Sequence, residues 1–449
     1  MARTDAKGLA LRSDCARALV EIQTQGRHAP AALQRLVFEG RPARDRALAK
    51  DLVTGTLRWK GTLEALLAAM GTRSHLPFED DWSLMVMLLA LYQLLFMERV
   101  PGYAAVDCAV ELLKRRSGRK AAPFANAVLR RCAAAGSLEA LIGDAAPGRR
   151  SQILWASYPP WLRRRLVDVY GETGAFDLAM AMNGRPPVTV RVDRMVPSEA
   201  SAAILERFAG ARVGPGRWHP SCLVVEKGGD LTRLDLHARG VLTVQDEGSQ
   251  VVGHALGAGG DDRVLDACCG MGIKTSQIGI LLEGGRILAL DRSPEKLRRL
   301  GKEAARTGVT CVGAVCADAT RPPLAPGALF DRILVDAPCS GTGSLSRKPE
   351  IKLRLKPSDP QRLAGLQGSL LRGAAPHLRK GGILLYSVCS VLPEEGPGVV
   401  GKFLEENRAF SIASMPRGPA GLTPSKDGTL LLLPSLHGTE GFYAAAITR

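Results

Sequence analysis

Two cysteines in the last third of the chain carry the chemistry for which this sequence can be read. Cys339 lies in Val335-Asp336-Ala337-Pro338-Cys339-Ser340-Gly341-Thr342-Gly343, and Cys389 in Leu385-Tyr386-Ser387-Val388-Cys389-Ser390. Each lies just past, or at the end of, an apolar run that reads as a buried strand, and each is followed by small or turn-forming residues. In an open α/β sheet this puts both thiols at the carboxyl ends of strands, where ligands bind. A thiol pair beside a cofactor pocket suits covalent chemistry on a substrate, because the thiolate is a strong nucleophile near neutral pH. Most free cysteines are inert packing residues. Two at strand ends, with Asp336 three residues before one of them, favour a reactive site.

The pocket that such thiols would serve is read from Val264-Leu265-Asp266-Ala267-Cys268-Cys269-Gly270-Met271-Gly272-Ile273-Lys274-Thr275, a strand, a tight turn and a helix start. Gly270 and Gly272 allow close approach of backbone to a ligand, and a helix N-terminus offers free N–H groups. A phosphate-cradling P-loop needs glycine before the lysine, where Ile273 stands, and the third glycine of a dinucleotide fingerprint is missing. The next strand ends at Asp291, suited to ribose hydroxyls, and the one after it at Asp318, suited to an adenine amino group. Each aspartate alone would also serve as a helix N-cap. Together with Asp266 they suit an adenosine ligand with little phosphate, a description that S-adenosyl-L-methionine meets.

The elements that must hold these residues fall into three stretches. The 449 residues are enough for two or three domains, and 46% hydrophobic content supports packed cores rather than disorder. The first stretch, 1–145, reads as all-α: apolar residues recur at helical spacing in Ala16–Ile22, Ala47–Leu57, Thr62–Met70, Leu84–Met97, Tyr103–Leu113 and Pro123–Cys132. The run Leu84–Met97 is too short for a membrane span and suits a buried helix. A loop-like composition follows at Ala145–Arg150. The second stretch, 150–240, reads as a small α+β module, with a helix over Trp161–Met182 and strands at Val188–Val192 and Cys222–Glu226. In the third, 241–449, apolar runs alternate with helical stretches, the rhythm of a mostly parallel, Rossmann-like sheet. Leu430–Leu433 and Phe442–Ile447 fit two closing strands.

The formal net charge of +16 favours an anionic partner, and nucleic acid is the commonest. Basic clusters stand at Lys114-Arg115-Arg116, Arg119-Lys120 and Arg130-Arg131. Aromatic residues make up 5%, too few for a surface built on many stacked rings. Ten cysteines without a Cys-x-x-Cys pair argue against a zinc ribbon and fit a reducing cytoplasm. No apolar signal core stands at the N-terminus, and no membrane association or metal is expected.

These motifs resemble those of the RNA cytosine-5 methyltransferase family. Leu265 to Thr275 looks like its LDxCxxPGGKT motif, Asp336 to Gly343 like DAPCSGTG, and Tyr386 to Ser390 like YSTCS. Gln245-Asp246-Glu247-Gly248-Ser249 resembles the QDxAS lead-in and Gly441-Phe442-Tyr443 the closing GFF strand. In the first stretch, Arg44-Asp45-Arg46-Ala47-Leu48, Leu52-Val53-Thr54-Gly55-Thr56-Leu57-Arg58 and Asn126-Ala127-Val128-Leu129-Arg130-Arg131 look like a helical RNA-binding domain of the NusB type. Within the family that fusion is similar to the bacterial 16S ribosomal RNA methyltransferases. Two residues depart from the pattern: Met271 replaces a proline and Ile273 a glycine. A β-branched residue does not readily take a left-handed backbone, so a reshaped cofactor loop is expected.

The resemblance implies a cytoplasmic monomer that methylates carbon 5 of a cytosine in ribosomal RNA with S-adenosyl-L-methionine. It implies Cys389 as the thiol that adds to carbon 6, Cys339 as the helper in release, and Asp336 sharing a proton with ring nitrogen 3. It also implies cofactor contacts from Cys268, Cys269, Gly270, Met271, Gly272, Ile273, Lys274, Asp291, Asp318 and Asp336. Arg44, Arg46, Arg58, Arg130 and Arg131 are candidates for RNA phosphates, with salt bridges supporting the core as the other reading for Arg44 and Arg58. Two alternatives stay open: a non-catalytic RNA-binding factor of ribosome assembly or transcription, and the same chemistry on transfer RNA.

Overall fold

The computed structural model describes residues 2–70, 80–117, 121–143, 147–415 and 428–449. Arg119, Lys120 and Ala145 lie outside them. The chain forms two compact units, Met1–Arg185 with Leu345–Leu355, and Pro186–Ser344 with Lys356–Arg449.

The first unit is helical. The helix Asp81–Phe96 is apolar on nearly every side and is therefore enclosed, with Met87, Leu88 and Leu91 at most 0% exposed. Asp80 caps it, accepting a bond from Ser83 N at 3.1 Å. Helices Ala2–Gln25, Ala43–Met70, Gly102–Arg116 and Ala121–Ala135 contribute Leu19, Leu52, Leu113 and Leu129 to the same core. Where a loop is expected after residue 145, the helix Pro147–Trp155 forms instead; proline is well suited to a first helical turn. The long helix Pro160–Asn183 belongs to this unit. Among the described residues, no helix is long and apolar enough to cross a membrane.

Leu345–Leu355 joins the helical unit through buried polar contacts. Arg58, 6% exposed, donates through Nε to the Ser346 carbonyl at 2.6 Å. Lys352 Nζ donates to Arg58 O and to Asn183 Oδ1, both at 2.7 Å, and lies 4.5 Å from the centre of the Tyr158 ring. These acceptors are neutral, and burial holds the Lys352 ammonium well below the ordinary lysine value. Arg58 is thus a structural residue, not an RNA contact.

The second unit begins with a four-stranded antiparallel sheet in the order β2-β3-β1-β4, where β1 is Val188–Val192, β2 Arg212–Pro215, β3 Cys222–Glu226 and β4 Leu242–Val244. The helix Pro197–Arg207 packs on it through Ala200 and Ile204.

A second sheet of eight strands follows: β5 (Arg263–Asp266), β6 (Arg286–Asp291), β7 (Val312–Cys316), β8 (Phe330–Asp336), β9 (Leu378–Val388), β10 (Ser411–Ile412), β11 (Leu430–Leu432) and β12 (Phe442–Thr448). Its main order is β10-β12-β9-β8-β5-β6-β7, with β11 also paired to β12. Strands β5 to β9 pair in parallel, and β12 runs antiparallel to β9. The chain winds outward from β5 to β7 and returns to β8 beside β5. The order therefore reverses between β5 and β8, which is where open α/β sheets bind ligands.

Candidate active site

Strands β8 and β9 are parallel neighbours, with Asp336 opposite Ser387. The ladder extends one step further through Ala337 N to Ser387 O at 2.9 Å. Cys339 and Cys389 therefore leave the sheet side by side, and their sulfurs lie 3.3 Å apart. Both are half-buried and in no disulfide. The Cys389 sulfur, as hydrogen-bond partner, pushes the Cys339 thiol well above its ordinary value, and burial and the charges of Cys389 and Glu395 add to the effect. Cys339 thus keeps its proton beside Cys389.

From the other side of the switch point comes Lys274, on the helix Ile273–Ile280 that follows β5. Its Nζ lies 2.7 Å from Asp336 Oδ2 and 5.2 Å from the centre of the Phe442 ring. Burial, the largest single effect, would lower the Lys274 ammonium, but the Asp336 charge, their hydrogen bond, Cys389 and Asp266 together outweigh it, and the net shift is upward. The second Asp336 oxygen accepts from Ser387 Oγ at 2.7 Å. Two thiols, a carboxylate and an ammonium are thereby gathered from three separate stretches of chain.

The turn after β5 is built on two left-handed glycines, Gly270 (φ 55°) and Gly272 (φ 87°). A side chain at Gly270 would meet nothing within 4 Å, so its backbone faces open space. At Gly272 a Cβ would lie 2.8 Å from Leu300 Cγ. Packing against Leu300 and the left-handed φ both require glycine at 272. Ile273 is the first residue of a regular helix, and the left-handed conformations of the turn fall on the two glycines, so its β-branched side chain is spared that strain. Met271 is 48% exposed and its sulfur lies 3.5 Å from Arg299 Nη1. Asp291 orders the turn, accepting from Gly270 N at 3.2 Å and Ser293 N at 2.8 Å.

Sequence comparison gives this geometry its lineage. The family description "16S rRNA methyltransferase RsmB/F" matches residues 254–448, "NusB family" matches 10–134, and the ferredoxin-like domain of the same methyltransferases matches 158–232. A Bacillus subtilis protein named "Probable ribosomal RNA small subunit methyltransferase B" is 32% identical over 459 aligned residues, covering 100% of both chains. The chain belongs to the RsmB/F methyltransferase family. The Pseudomonas putida "Ribosomal RNA small subunit methyltransferase B" is 33% identical over 90% of this chain and 91% of its own. Among solved structures, that of PH0851 superposes with a TM-score of 0.75 over 99% of this chain and 98% of its own at 22% identity, a likeness of fold. A methyltransferase homologue from Pyrococcus horikoshii, at 25% identity, covers 68% of this chain and 99% of its own with a TM-score of 0.57.

Membership in the RsmB/F family makes this chain an S-adenosylmethionine-dependent methyltransferase with the expected architecture of helical domain, small α+β module and Rossmann-like domain. The ferredoxin-like match starts at 158, ahead of a helix that packs in the helical unit.

The residues around the turn fit the family's cofactor. Gly270 presents open backbone, and the half-buried Asp291 stands beside it at the end of β6, a donor set and an acceptor of the kinds an adenosine ligand needs. Cys268 stands in the same turn, its backbone N 3.3 Å from Asp266 Oδ1; burial, then the Asp266 and Asp336 charges, pushes its thiol up. Cys269 turns its side chain into an apolar cluster with Ala289 and Leu300, so only its backbone is free to meet a ligand. Asp318, on an exposed loop after β7, accepts from Thr320 N at 2.9 Å; that bond and the Thr320 hydroxyl draw its carboxyl below the usual value. Asp266 is not a ligand-facing group. It is 1% exposed, accepts from Thr275 Oγ1 at 2.7 Å, and is pushed up to about 7, chiefly by burial.

Three contributors escaped the sequence reading. Glu395, 0% exposed, accepts from Ser340 N at 2.8 Å, Ser390 Oγ at 2.6 Å, Gln367 Nε2 at 3.1 Å, and Ser340 Oγ. It thereby ties the residue after Cys339 to the residue after Cys389. Glu440 accepts from Ser344 Oγ at 2.8 Å while its own N–H donates to Asp246 at 3.1 Å, which explains the lead-in motif: Asp246 anchors the loop beside the Cys339 turn. Arg191, on β1 and 1% exposed, donates to Gln245 and, at 3.3 Å, to the carbonyl of Ile273 at the start of the helix Ile273–Ile280.

Proposed function

We propose that this chain transfers a methyl group to carbon 5 of a cytosine in 16S ribosomal RNA, through a transient bond between Cys389 and carbon 6 of the ring. The observation that carries the reading is the pair of sulfurs 3.3 Å apart at the ends of β8 and β9, with Lys274 and Asp336 beside them. Carbon 5 of cytosine is a poor nucleophile. Thiolate addition at carbon 6 turns the ring into an enamine whose carbon 5 can attack an electrophile. Asp336 shares a proton with ring nitrogen 3 as charge develops there, and the Lys274 ammonium is the adjacent proton source. Cys339 assists the elimination that breaks the Cys389–carbon 6 bond once the carbon 5 proton has left.

When bound, S-adenosylmethionine supplies the methyl group as an electrophilic sulfonium carbon. The backbone of Cys268 to Gly272 and the N-terminus of the helix Ile273–Ile280 would hold it, with Asp291 toward the ribose and Asp318 toward the adenine. The names of the relatives motivate the ribosomal substrate. The target base must leave its stack to reach the thiols. Exposed Arg44, Lys114, Arg115, Arg130 and Arg131, with the half-buried Arg46, would engage phosphates. None of the ten cysteines is in a disulfide, in keeping with the reducing cytoplasm.

Purified protein, labelled S-adenosylmethionine and 16S RNA should yield 5-methylcytosine, and Cys389→Ala should yield none. Full activity in that variant would end the reading. A non-catalytic factor would bind RNA without the methyl donor, and calorimetry separates the two; methylation mapping on total RNA decides against transfer RNA.

A further inference from the structure

The separation that suits the two thiols to successive steps also puts them within reach of each other. We propose that Cys339 and Cys389 form a reversible disulfide when the protein meets a hydroperoxide, which makes the pair an oxidative modification site. The blocking effect of this bond on methyl transfer rests on the reading given above; the bond itself does not.

Three observations support it. The sulfurs are 3.3 Å apart, so closing to the roughly 2.05 Å of a disulfide is a short movement. They leave adjacent strands of one ladder, and strands so paired lie about 4.8 Å apart, within the range of backbone spacings that disulfides bridge. The loops that carry them are held together from beneath by Glu395, so the approach is built in rather than reached by chance.

The environment also divides the roles. Cys339 holds its proton beside Cys389 and the buried Glu395 carboxylate, whereas Cys389 lies in the field of the Lys274 ammonium. A thiolate is the species that peroxides oxidise. The Cys389 thiolate attacks one oxygen of the hydroperoxide, and the O–O bond breaks. A sulfenic acid forms on Cys389, and the alkoxide leaves as an alcohol after taking up a proton. The Cys339 sulfur then attacks the Cys389 sulfur, the S–O bond breaks, and hydroxide departs as water with the Cys339 proton. In sum, two thiols give two electrons and two protons to one hydroperoxide, yielding a disulfide, an alcohol and a water. With hydrogen peroxide both products are water.

The test treats the full-length protein with hydrogen peroxide without reductant, alkylates the remaining thiols, and maps peptides by mass spectrometry. The expected result is a cross-linked pair of peptides carrying Cys339 and Cys389, with methyl transfer falling to background in parallel and returning with dithiothreitol. In Cys339→Ser, Cys389 should instead pass to the sulfinic acid, which dithiothreitol does not reverse. Continued alkylation of both thiols while the exposed Cys316 is oxidised would overturn the proposal. A cross-link that leaves methyl transfer intact would support the bond and refute the catalytic reading of the pair.

Discussion

Lys274 and Asp336 meet across the point where the order of the parallel strands reverses, with Nζ 2.7 Å from Oδ2. One comes from the helix after β5 and the other from the end of β8, so this ion pair joins the glycine turn to the thiol-bearing turn. A group that neutralises charge at Asp336 and can pass it a proton is expected to matter in the transition state more than in binding. Lys274→Met should lower the single-turnover methylation rate on the order of 10²-fold, with RNA affinity little changed. Lys274→Arg should recover part of the loss. Equal rates for wild type and Lys274→Met in rapid-quench assays would refute this role.

Glu395 receives four donors on two oxygens with no exposure to solvent, so exchanging the carboxylate for an amide forces an N–H toward other N–H and O–H groups. Glu395→Gln should cost about 1–3 kcal/mol of stability and should misalign the turns that carry Cys339 and Cys389. The expected kinetic signature is a reduced turnover number at an unchanged KM for S-adenosylmethionine. Differential scanning calorimetry and steady-state kinetics check the two halves separately.

The sequence made the strand ends legible because each is written locally: an apolar run, then Asp336-Ala337-Pro338-Cys339 or Val388-Cys389-Ser390, then turn formers. The glycine turn and the helix that carries Lys274 are local in the same sense. What escaped is long-range. Glu395 acts through Ser340, which is 55 positions away, and Arg191 through Ile273, 82 positions away; neither bond has a periodic signature. The readings that the sequence left open have the same origin. Arg58 sits in a basic-looking helical motif, yet its guanidinium is buried against Ser346, and Asp266, one of three strand-end acids, turns inward to Thr275.

Arg191 predicts a coupling between the small sheet and cofactor binding. Its guanidinium is bonded to Asp193 at 2.8 Å, to Gln245 and to the Ile273 carbonyl, an arrangement that a lysine cannot reproduce. Arg191→Lys should weaken S-adenosylmethionine binding by roughly tenfold, equivalent to about 1.4 kcal/mol, as measured by isothermal titration calorimetry. An unchanged affinity would mean that the turn is set without it.

Asp266 predicts a pH signature. Its carboxyl is raised to about 7 in the folded protein, chiefly by burial, against an ordinary value near 3.8. The unfolded chain therefore releases this proton at lower pH than the folded one. The stability that Asp266 contributes is fully present below about pH 4, falls as pH rises, and is lost by about pH 7. Asp266→Asn removes this dependence, so its melting temperature relative to wild type should rise between pH 4 and 7 and level off above. A constant difference across that range, by thermal melts in matched buffers, would contradict the burial argument.

The central claim is that Cys389 attacks the base and Cys339 lets it go. It is tested most directly by incubating Cys339→Ala with RNA and methyl-labelled S-adenosylmethionine, then separating the products on a denaturing gel. The account predicts a slow-migrating protein–RNA species that carries the label and disappears when Cys389 is also replaced by alanine. No such species, or one that persists without Cys389, would contradict it.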